Sequence, residues 1–464
     1  MTPTGSSPPL PPSPPPPFAI SDQSPSSSSS TSSSARQTSN PILQLNPTSS
    51  RPPQPHFSLN PSSSSSPKSL NADQAIRQTD TDASLSRLSA VAAGYLTDPY
   101  ASLFVKPSDR RNPTAFKRPP QINHGTHVRT FAIDQLLKSF LMESKRLGRK
   151  GQVVNLGAGT DTRFWRLRDE GCFDDGAGGD VLQRWLELDF EESTAGKARV
   201  IMGNEKLRSA LGGKDVVKIV QGGQGLTSPI YHLLPCDLRT FLQPPPPSSS
   251  SPSSASNEQS SLASHLLTSS TLSPNLPTLF LAECLFVYLP TETTSSILNW
   301  FSQSFQQGGV MGIIYEMIGT DDAFGRVMRG NLQSRGINLP GLNSVPTLES
   351  HARRFTHPPY PSTTTTTTAA TTTSSAERDP SFDTSRALTI HHIRTSLIPP
   401  AERERVSRLE ILDEVEEMDL MLGHYCVAWG WRRARGGVGG FDGVRWGEDG
   451  VGLVKSYRGG DDEG

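Results

Sequence analysis

The sequence predicts an α/β fold: a mostly parallel sheet with helices on both faces and extra helices on its N-terminal side. Three observations predict it. Strand-like apolar runs alternate with helical or loop segments through residues 152–316. Those runs are nearly continuous in their apolar character, as in strands buried on both faces. The first lies in "QVVNLGAGTDTRFWRL" (152–167) and leads into a G-x-G turn and a helix, a common entrance to a ligand crevice.

The elements follow in order. Residues 1–80 are rich in Ser, Pro, Thr and Gln, as in "SSPPLPPSPPPP". They hold too few apolar side chains to offset the entropy of ordering, which predicts a disordered tail. Residues 81–464 form one domain, with low-complexity insertions near 244–261 ("PPPPSSSSPSSASNEQSS") and 361–381 ("PSTTTTTTAATTTSSAERDPS"). Patterned sequence resumes after each, and what remains is long enough for a full core. Helical spacing of Leu85, Leu88, Val91 and Ala92 predicts a helix over 83–95. Val128, Phe131, Ile133, Leu136, Leu137, Phe140 and Leu141 predict a second over 126–147. Strands are predicted at 152–156, 184–190, 231–236 and 278–288, and a fifth at 310–316 after a helix over 291–306. A long helix over 400–422 and a strand at 424–431 close the pattern.

Composition excludes several function classes. The formal net charge of −1 gives no case for nucleic acid or an anionic membrane surface. No basic stretch followed by an apolar run opens the chain, so no secretory signal is expected. The longest apolar stretch, "LPTLFLAECLFVYL", has about 14 residues and contains Glu283, too short for a membrane span. Cys172, Cys236, Cys284 and Cys426 show no C-x-x-C spacing. Neither a disulfide framework nor a metal site is expected, and a reducing, cytoplasmic location is. The Pro-rich tail suits either an SH3 or WW module or a plain disordered extension.

The chemistry is expected at the carboxyl ends of the strands, where open α/β sheets bind ligands. Gly157 and Gly159 allow a sharp turn and close approach of a ligand to the backbone, although the pair alone equally suits an ordinary turn. Asp161 and Thr162 stand where a dinucleotide fingerprint has its third glycine, and a carboxylate there would repel a pyrophosphate. The second strand ends in Glu187-Leu188-Asp189, and alternation turns both acids to one side. An acid at this place accepts hydrogen bonds from ribose hydroxyls. Asp237 follows the third strand and faces an adenine amino group in this reading. Glu283 interrupts an apolar run, which is costly unless the carboxylate is paired or faces a cleft. Two glycines and three carboxylates at one crevice favour a nucleoside with a small cationic portion, and S-adenosylmethionine matches.

These residues carry a resemblance. "VVNLGAGTDTRFWRL", "WLELDF", "CDLR", "LAECLFVYL" and "YLTDPY…INHGTHVRT" resemble the leucine carboxyl methyltransferase family, in the right order from about Asp82 to Trp431. The resemblance implies a class I S-adenosylmethionine-dependent methyltransferase fold with a Rossmann-like sheet. It implies S-adenosylmethionine as cofactor and, as substrate, the C-terminal leucine carboxylate of the protein phosphatase 2A catalytic subunit. It also implies roles for individual residues. Arg129 would grip the methionine carboxylate of the cofactor, with Arg87 in place of a lysine nearby. Gly157 would lie under the cofactor, Asp189 would hold the ribose, Asp237 and Leu238 would meet the adenine, and Glu283 would stand near the amino end. Tyr288 would stand near the transfer site, and with Arg129 it is the candidate catalytic pair. The chain departs from the family in "GTHVR", where an aromatic is expected after the glycine and His127 stands ready to fill the space. It departs again in "YEMI" after the fifth strand.

A terminal carboxylate has a pKa of about 3.5 and is ionised at neutral pH. It needs orientation and desolvation, not a general base. No Ser-His-Asp triad is assigned, and His391, His392 and His424 are read as surface or packing residues. Lys106 is a candidate helper for Arg129. A monomer is expected. The alternatives are a tRNA wybutosine carboxyl methyltransferase, which usually continues into kelch repeats not seen here, a nicotinamide oxidoreductase, and a non-catalytic interaction protein.

Overall fold

The apolar runs pair side by side into one ten-stranded sheet in the computed structural model. It describes residues 72–244, 260–357 and 381–435, and the backbone of 457–458. The strands are β1 (Gly151–Leu156), β2 (Leu182–Asp189), β3 (Lys218–Val220), β4 (Gly225–Thr227) and β5 (Tyr231–Pro235), then β6 (Thr278–Glu283), β7 (Val310–Met317), β8 (Thr384–Thr389), β9 (Tyr425–Arg432) and β10 (Tyr457–Arg458). Their order across the sheet is β10-β8-β9-β7-β6-β1-β2-β5-β4-β3. The central block β7-β6-β1-β2-β5 is parallel. Antiparallel strands extend both edges. Strand order reverses between β1 and its neighbours β2 and β6, so a crevice opens at their carboxyl ends.

Alternation along the central strands sorts the core into two layers. Val153, Trp185, Leu279, Leu281 and Ile313 face one side, with Val128, Leu136 and Phe140 of one helix and Ala198 and Ile201 of another. Val154, Leu186, Phe280 and Ile314 face the other, with Leu266, Ile297, Phe301 and Phe355. Every residue of β1 and of β7 is buried, which is why these strands read as nearly continuous apolar runs broken by Gln152, Asn155 and Glu316.

The N-terminal helices are longer than their apolar stripes. Helix α1 runs Ala72–Ala92 and helix α2 runs Pro120–Arg146. The expected start of α1 at 83 and the tail boundary at 80 both fall inside that helix. Pro120 occupies the first turn of α2, where a missing N–H costs nothing. The expected helix over 400–422 is instead two, Pro400–Ser407 and Val415–Gly423. Between them Leu409 packs on Tyr95 and Val406, and Glu410 accepts a hydrogen bond from Asn123 Nδ2 at 2.8 Å. The expected strand 278–288 stops at Glu283, because Cys284 turns to φ 52°. β3, β4 and β8 were not expected.

The Ser/Pro-rich tail up to residue 71 lies outside the described residues, as do 245–259 and 358–380, which hold most of the two low-complexity tracts. The flanks of each tract are joined by a backbone hydrogen bond. Ala263 N donates to Phe241 O at 3.2 Å, and Phe382 N donates to Phe355 O at 3.1 Å. No described helix is long and apolar enough to cross a membrane, and the described residues contain no cluster of metal-ligating side chains.

Candidate active site

β1 delivers the chain into a tight loop at the switch point. Gly157 and Gly159 take φ +62° and +45°, a region that side chains with a Cβ avoid. Gly157 N donates to Leu188 O of β2 at 2.8 Å. A Cβ on Gly157 would lie 2.7 Å from Leu285 Cδ1, so the bare backbone lets the turn after β6 close on the loop after β1. Asn155 Nδ2 and Arg163 N both donate to the Asp161 carboxylate, at 2.9 Å each, which fixes the start of the helix Arg163–Asp169.

Asp189, at the end of β2, turns one oxygen onto this loop. Gly159 N donates to its Oδ2 at 2.7 Å and Phe190 N to its Oδ1 at 2.6 Å. Burial, with the charge of Asp80 adding to it, pushes the Asp189 carboxyl up to about 6. Glu187 does not join it. It lies one pleat deeper and is fully buried, with Lys197 Nζ at 2.5 Å, Tyr231 Oη at 2.8 Å and Trp185 Nε1 at 3.0 Å. The two acids share a face of the strand, but only Asp189 reaches the crevice.

Glu283, at the end of β6, is gripped from two sides. Arg163 Nη1 donates to Oε2 at 2.7 Å. Arg129 Nε of α2 stands 3.0 Å from Oε1 without the alignment of a hydrogen bond. Burial would push this carboxyl up, but Arg163 and Arg129 hold it below the usual carboxylate range. Burial also makes Tyr288 a weaker acid, so it stays a phenol. It lies in the turn after β6, where Glu316 Oε1 of β7 accepts from the N–H groups of Leu285, Phe286 and Val287 at 3.2, 2.7 and 3.2 Å.

Helix α1 roofs the crevice. Ile76, Arg77, Thr79, Asp80, Ala83 and Arg87 project from it into a cavity of about 350 Å³. Arg129, Gly157, Asp189, Glu283 and Tyr288 line the same cavity. Asp237 and Leu238 line a side chamber of about 40 Å³ that shares Gly157, Asp189 and Tyr288 with it. The structure thus brings together all eight residues predicted for the site. Asp237 is less free than expected. Arg239 Nε donates to both of its oxygens, at 2.9 and 3.0 Å, and Nη2 to Oδ2 at 2.7 Å. Arg239 in turn makes two 2.9 Å bonds to Asp73 of α1.

Other expectations fail at the cavity wall. His127 points away and meets Glu402 Oε1 at 2.8 Å, so Gly125 and Thr126 line the cavity in its place. Lys106 caps a short surface helix and does not line it. His424 is held by Asp322 Oδ2 at 2.9 Å and Leu420 O at 2.8 Å, a packing role as expected.

The cavity is built to receive a ligand with an anionic end. Arg87 is 8% exposed, and its Nη1 has no hydrogen-bond partner among the described residues. Its approach to Asp98 Oδ2 is 3.7 Å. With Arg129 Nε this makes two buried donors at the wall without hydrogen bonds. Buried donors seldom stay unmatched, and a carboxylate fits both.

Comparison with known proteins places this geometry. The family profile described as leucine carboxyl methyltransferase matches residues 75–302. A leucine carboxyl methyltransferase 1 from Cryptococcus neoformans var. neoformans serotype D is 41% identical over 380 residues, covering 78% of this chain and 95% of that protein. The chain belongs to the leucine carboxyl methyltransferase family. A leucine carboxyl methyltransferase 1 from Aspergillus fumigatus is 38% identical over 369 residues, covering 78% of this chain and 84% of the relative. A leucine carboxyl methyltransferase 1 homolog from Arabidopsis thaliana is 33% identical over 373 residues, covering 80% and 94%.

As a leucine carboxyl methyltransferase the protein is a methyltransferase of class I fold, and the resemblance read from its motifs holds. Sequence reasoning missed the roof residues Thr79 and Asp80, the buried Arg163 and the Tyr315–Tyr425 pair. Those two rings stack 5.5 Å apart on the cavity wall. Only Arg163 left a signal, in its place beside Asp161 after the glycine turn.

Proposed function

We propose that this protein transfers a methyl group from S-adenosylmethionine to the α-carboxylate of the C-terminal leucine of the protein phosphatase 2A catalytic subunit, forming a leucine methyl ester. The observation that carries the reading is the shared cavity with its buried, hydrogen-bond-free donors on Arg87 and Arg129.

In this reading Arg129 and Arg87 hold the methionyl carboxylate, and Glu283 holds the amino group. Gly157 gives the ligand room to lie on the backbone. Asp189 accepts from the ribose, and Asp237 and Leu238 frame the adenine. Bound there, S-adenosylmethionine supplies a methyl group on a positively charged sulfur. The chain's own work is placement. The leucine carboxylate is already ionised, so no residue has to remove a proton. Arg129 and the Tyr288 phenol fix the carboxylate so that one oxygen faces the methyl at about 3–3.5 Å. Transfer would form the oxygen–carbon bond as the carbon–sulfur bond breaks, and the carboxylate and sulfonium charges would cancel. Ile122, Met421 and Leu422, which line the cavity, exclude water and strengthen the electrostatics. Asp161 and Thr162 stand where a dinucleotide site has its third glycine, which disfavours a nicotinamide dinucleotide.

We place the catalytic domain from residue 72 onward and the enzyme in the cytoplasm, in keeping with its four unpaired cysteines. The test is incubation with methyl-labelled S-adenosylmethionine and the phosphatase catalytic subunit, with and without its terminal leucine. Base-labile label on the complete subunit alone is expected. Equal labelling of both removes the substrate assignment.

A further inference from the structure

Asp80 stands on the roof helix, two turns beyond Asp73 and in line with Arg77. Its Oδ1 accepts from Thr160 N and Thr160 Oγ1, both at 2.9 Å. A methyl group on Gly159 would collide with this carboxyl. Asp189 takes the N–H of the same Gly159 from below. One glycine therefore separates two carboxylates that both line the cavity. Arg87, with its unpartnered buried Nη1, lines that cavity as well and independently marks it as a ligand site.

We infer that Asp80 and Asp189 together form a two-carboxylate seat for a vicinal diol, and that Asp80 is a specificity-determining residue for a ribosyl cofactor without a ribose phosphate. This deepens the cofactor reading above and rests on it.

The physical argument is one of matched donors. Two ionised carboxylates beside one glycine repel each other, and neither has a hydrogen to offer. The repulsion shows in Asp189, where the charge of Asp80 works in the same direction as burial. A vicinal diol brings two O–H donors on adjacent carbons, one for each acid, and hydrogen bonds to charged acceptors are strong. A ribose bearing a phosphate would set more negative charge before two carboxylates and is excluded. Burial pushes the Asp80 carboxyl up, against the two Thr160 hydrogen bonds and the charges of Lys197 and Arg87, and its Oδ1 already serves as an acceptor for Thr160. A purely structural Asp80, pinning the roof to Thr160, would have no stake in which hydroxyls the ligand carries.

The test is calorimetry on the full chain, with S-adenosylhomocysteine and its 2′-deoxy and 3′-deoxy forms as probes. Parent, Asp80→Ala and Asp80→Asn proteins are compared, with thermal unfolding to check that each is folded. Loss of either hydroxyl should weaken binding to the parent by about tenfold or more. Asp80→Ala should weaken S-adenosylhomocysteine by about tenfold, and its penalty for one of the two deoxy forms should fall to about twofold. Asp80→Asn, which keeps an acceptor for Thr160, should show the same selective loss in smaller degree. A parent that binds no S-adenosylhomocysteine overturns the cofactor reading, and this inference with it. If the parent binds but folded Asp80→Ala keeps both deoxy penalties, the inference alone is overturned. Tighter binding by Asp80→Ala also overturns it, and makes Asp80 a competitor for the seat.

Discussion

Arg163 carries Glu283: its Nη1 lies 2.7 Å from Glu283 Oε2 and is fully buried. The same guanidinium meets Asp161 at 2.8 Å and Asp134 at 2.9 Å. Removing it takes a shared cation from three interior acids, of which Asp134 keeps Arg166 at 2.7 Å and Glu283 keeps Arg129 at 3.0 Å. We expect Arg163→Leu to cost about 3–5 kcal/mol of stability, read from urea unfolding. Glu283→Gln keeps the shape but strips a charge from two arginines. It should lower affinity for S-adenosylhomocysteine at least about tenfold and also lower the unfolding midpoint. An unchanged midpoint would show that Glu283 serves the ligand alone.

The turn that carries Tyr288 depends on Glu316. One oxygen of this buried acid accepts from three consecutive backbone N–H groups. Glu316→Ala leaves those donors unmatched and should cost about 3 kcal/mol. Glu316→Gln retains a carbonyl oxygen and should cost about 1 kcal/mol. Methyl-transfer assays should show kcat falling more than KM rises in Glu316→Gln, because the turn positions Tyr288 and Leu285 at the cavity.

Asp73 belongs to an exposed pair. Its bonds to Arg239 are about a third exposed, and such pairs contribute about 0–1 kcal/mol. Asp73→Ala should leave the melting temperature nearly unchanged. It unpins the first turn of the roof from Asp237 at the side chamber, so S-adenosylhomocysteine should dissociate faster. Stopped-flow release at low and high salt measures this, and high salt should mimic the substitution in the parent. A release rate indifferent to both would detach the roof from ligand exchange.

Asp189 sets a pH dependence. In the free protein its carboxyl is held up at about 6 by burial and by Asp80. The folded value exceeds the unfolded one, so the native state holds an extra proton between about pH 4 and 6. This group's contribution to stability is fully present below that window and is lost as pH rises through 6. Under the proposed cofactor reading ligand binding runs the other way, because a diol would bond to the ionised acid. Affinity for S-adenosylhomocysteine should fall by up to about tenfold per unit below pH 6. Calorimetry in two buffers of different ionisation enthalpy should show proton release near pH 6 and none near pH 8.

The central strands were legible because they are mostly apolar, and a carboxylate at the end of such a run is conspicuous. Asp189, Asp237 and Glu283 were found that way. Glu187 shows the limit: a period of two gives the face of a strand but not depth along it. The roof was illegible for a different reason. "ADQAIRQTDTD" (72–82) buries only Ala75, because its inner face looks onto a cavity and not a packed core, so no apolar stripe marks the helix. β3 and β4 have three residues each and sit at an edge, where strands are short and mixed in polarity. The break at 408–414 was hidden by good helix formers, whose local preference yields to the packing of Leu409 and the pairing of Glu410.

The hydrogen bonds Ala263 N to Phe241 O and Phe382 N to Phe355 O close the necks of the two low-complexity tracts. Each excursion leaves and re-enters the framework at almost one point. Adding residues beyond a closed neck costs only a slowly growing entropy, about 0.6 kcal/mol per doubling of length. Lengthening either tract should therefore cost the folded body little stability. The spacing between Phe241 and Ala263, or between Phe355 and Phe382, is free to drift among related chains while Asp237 and Glu283 keep their places.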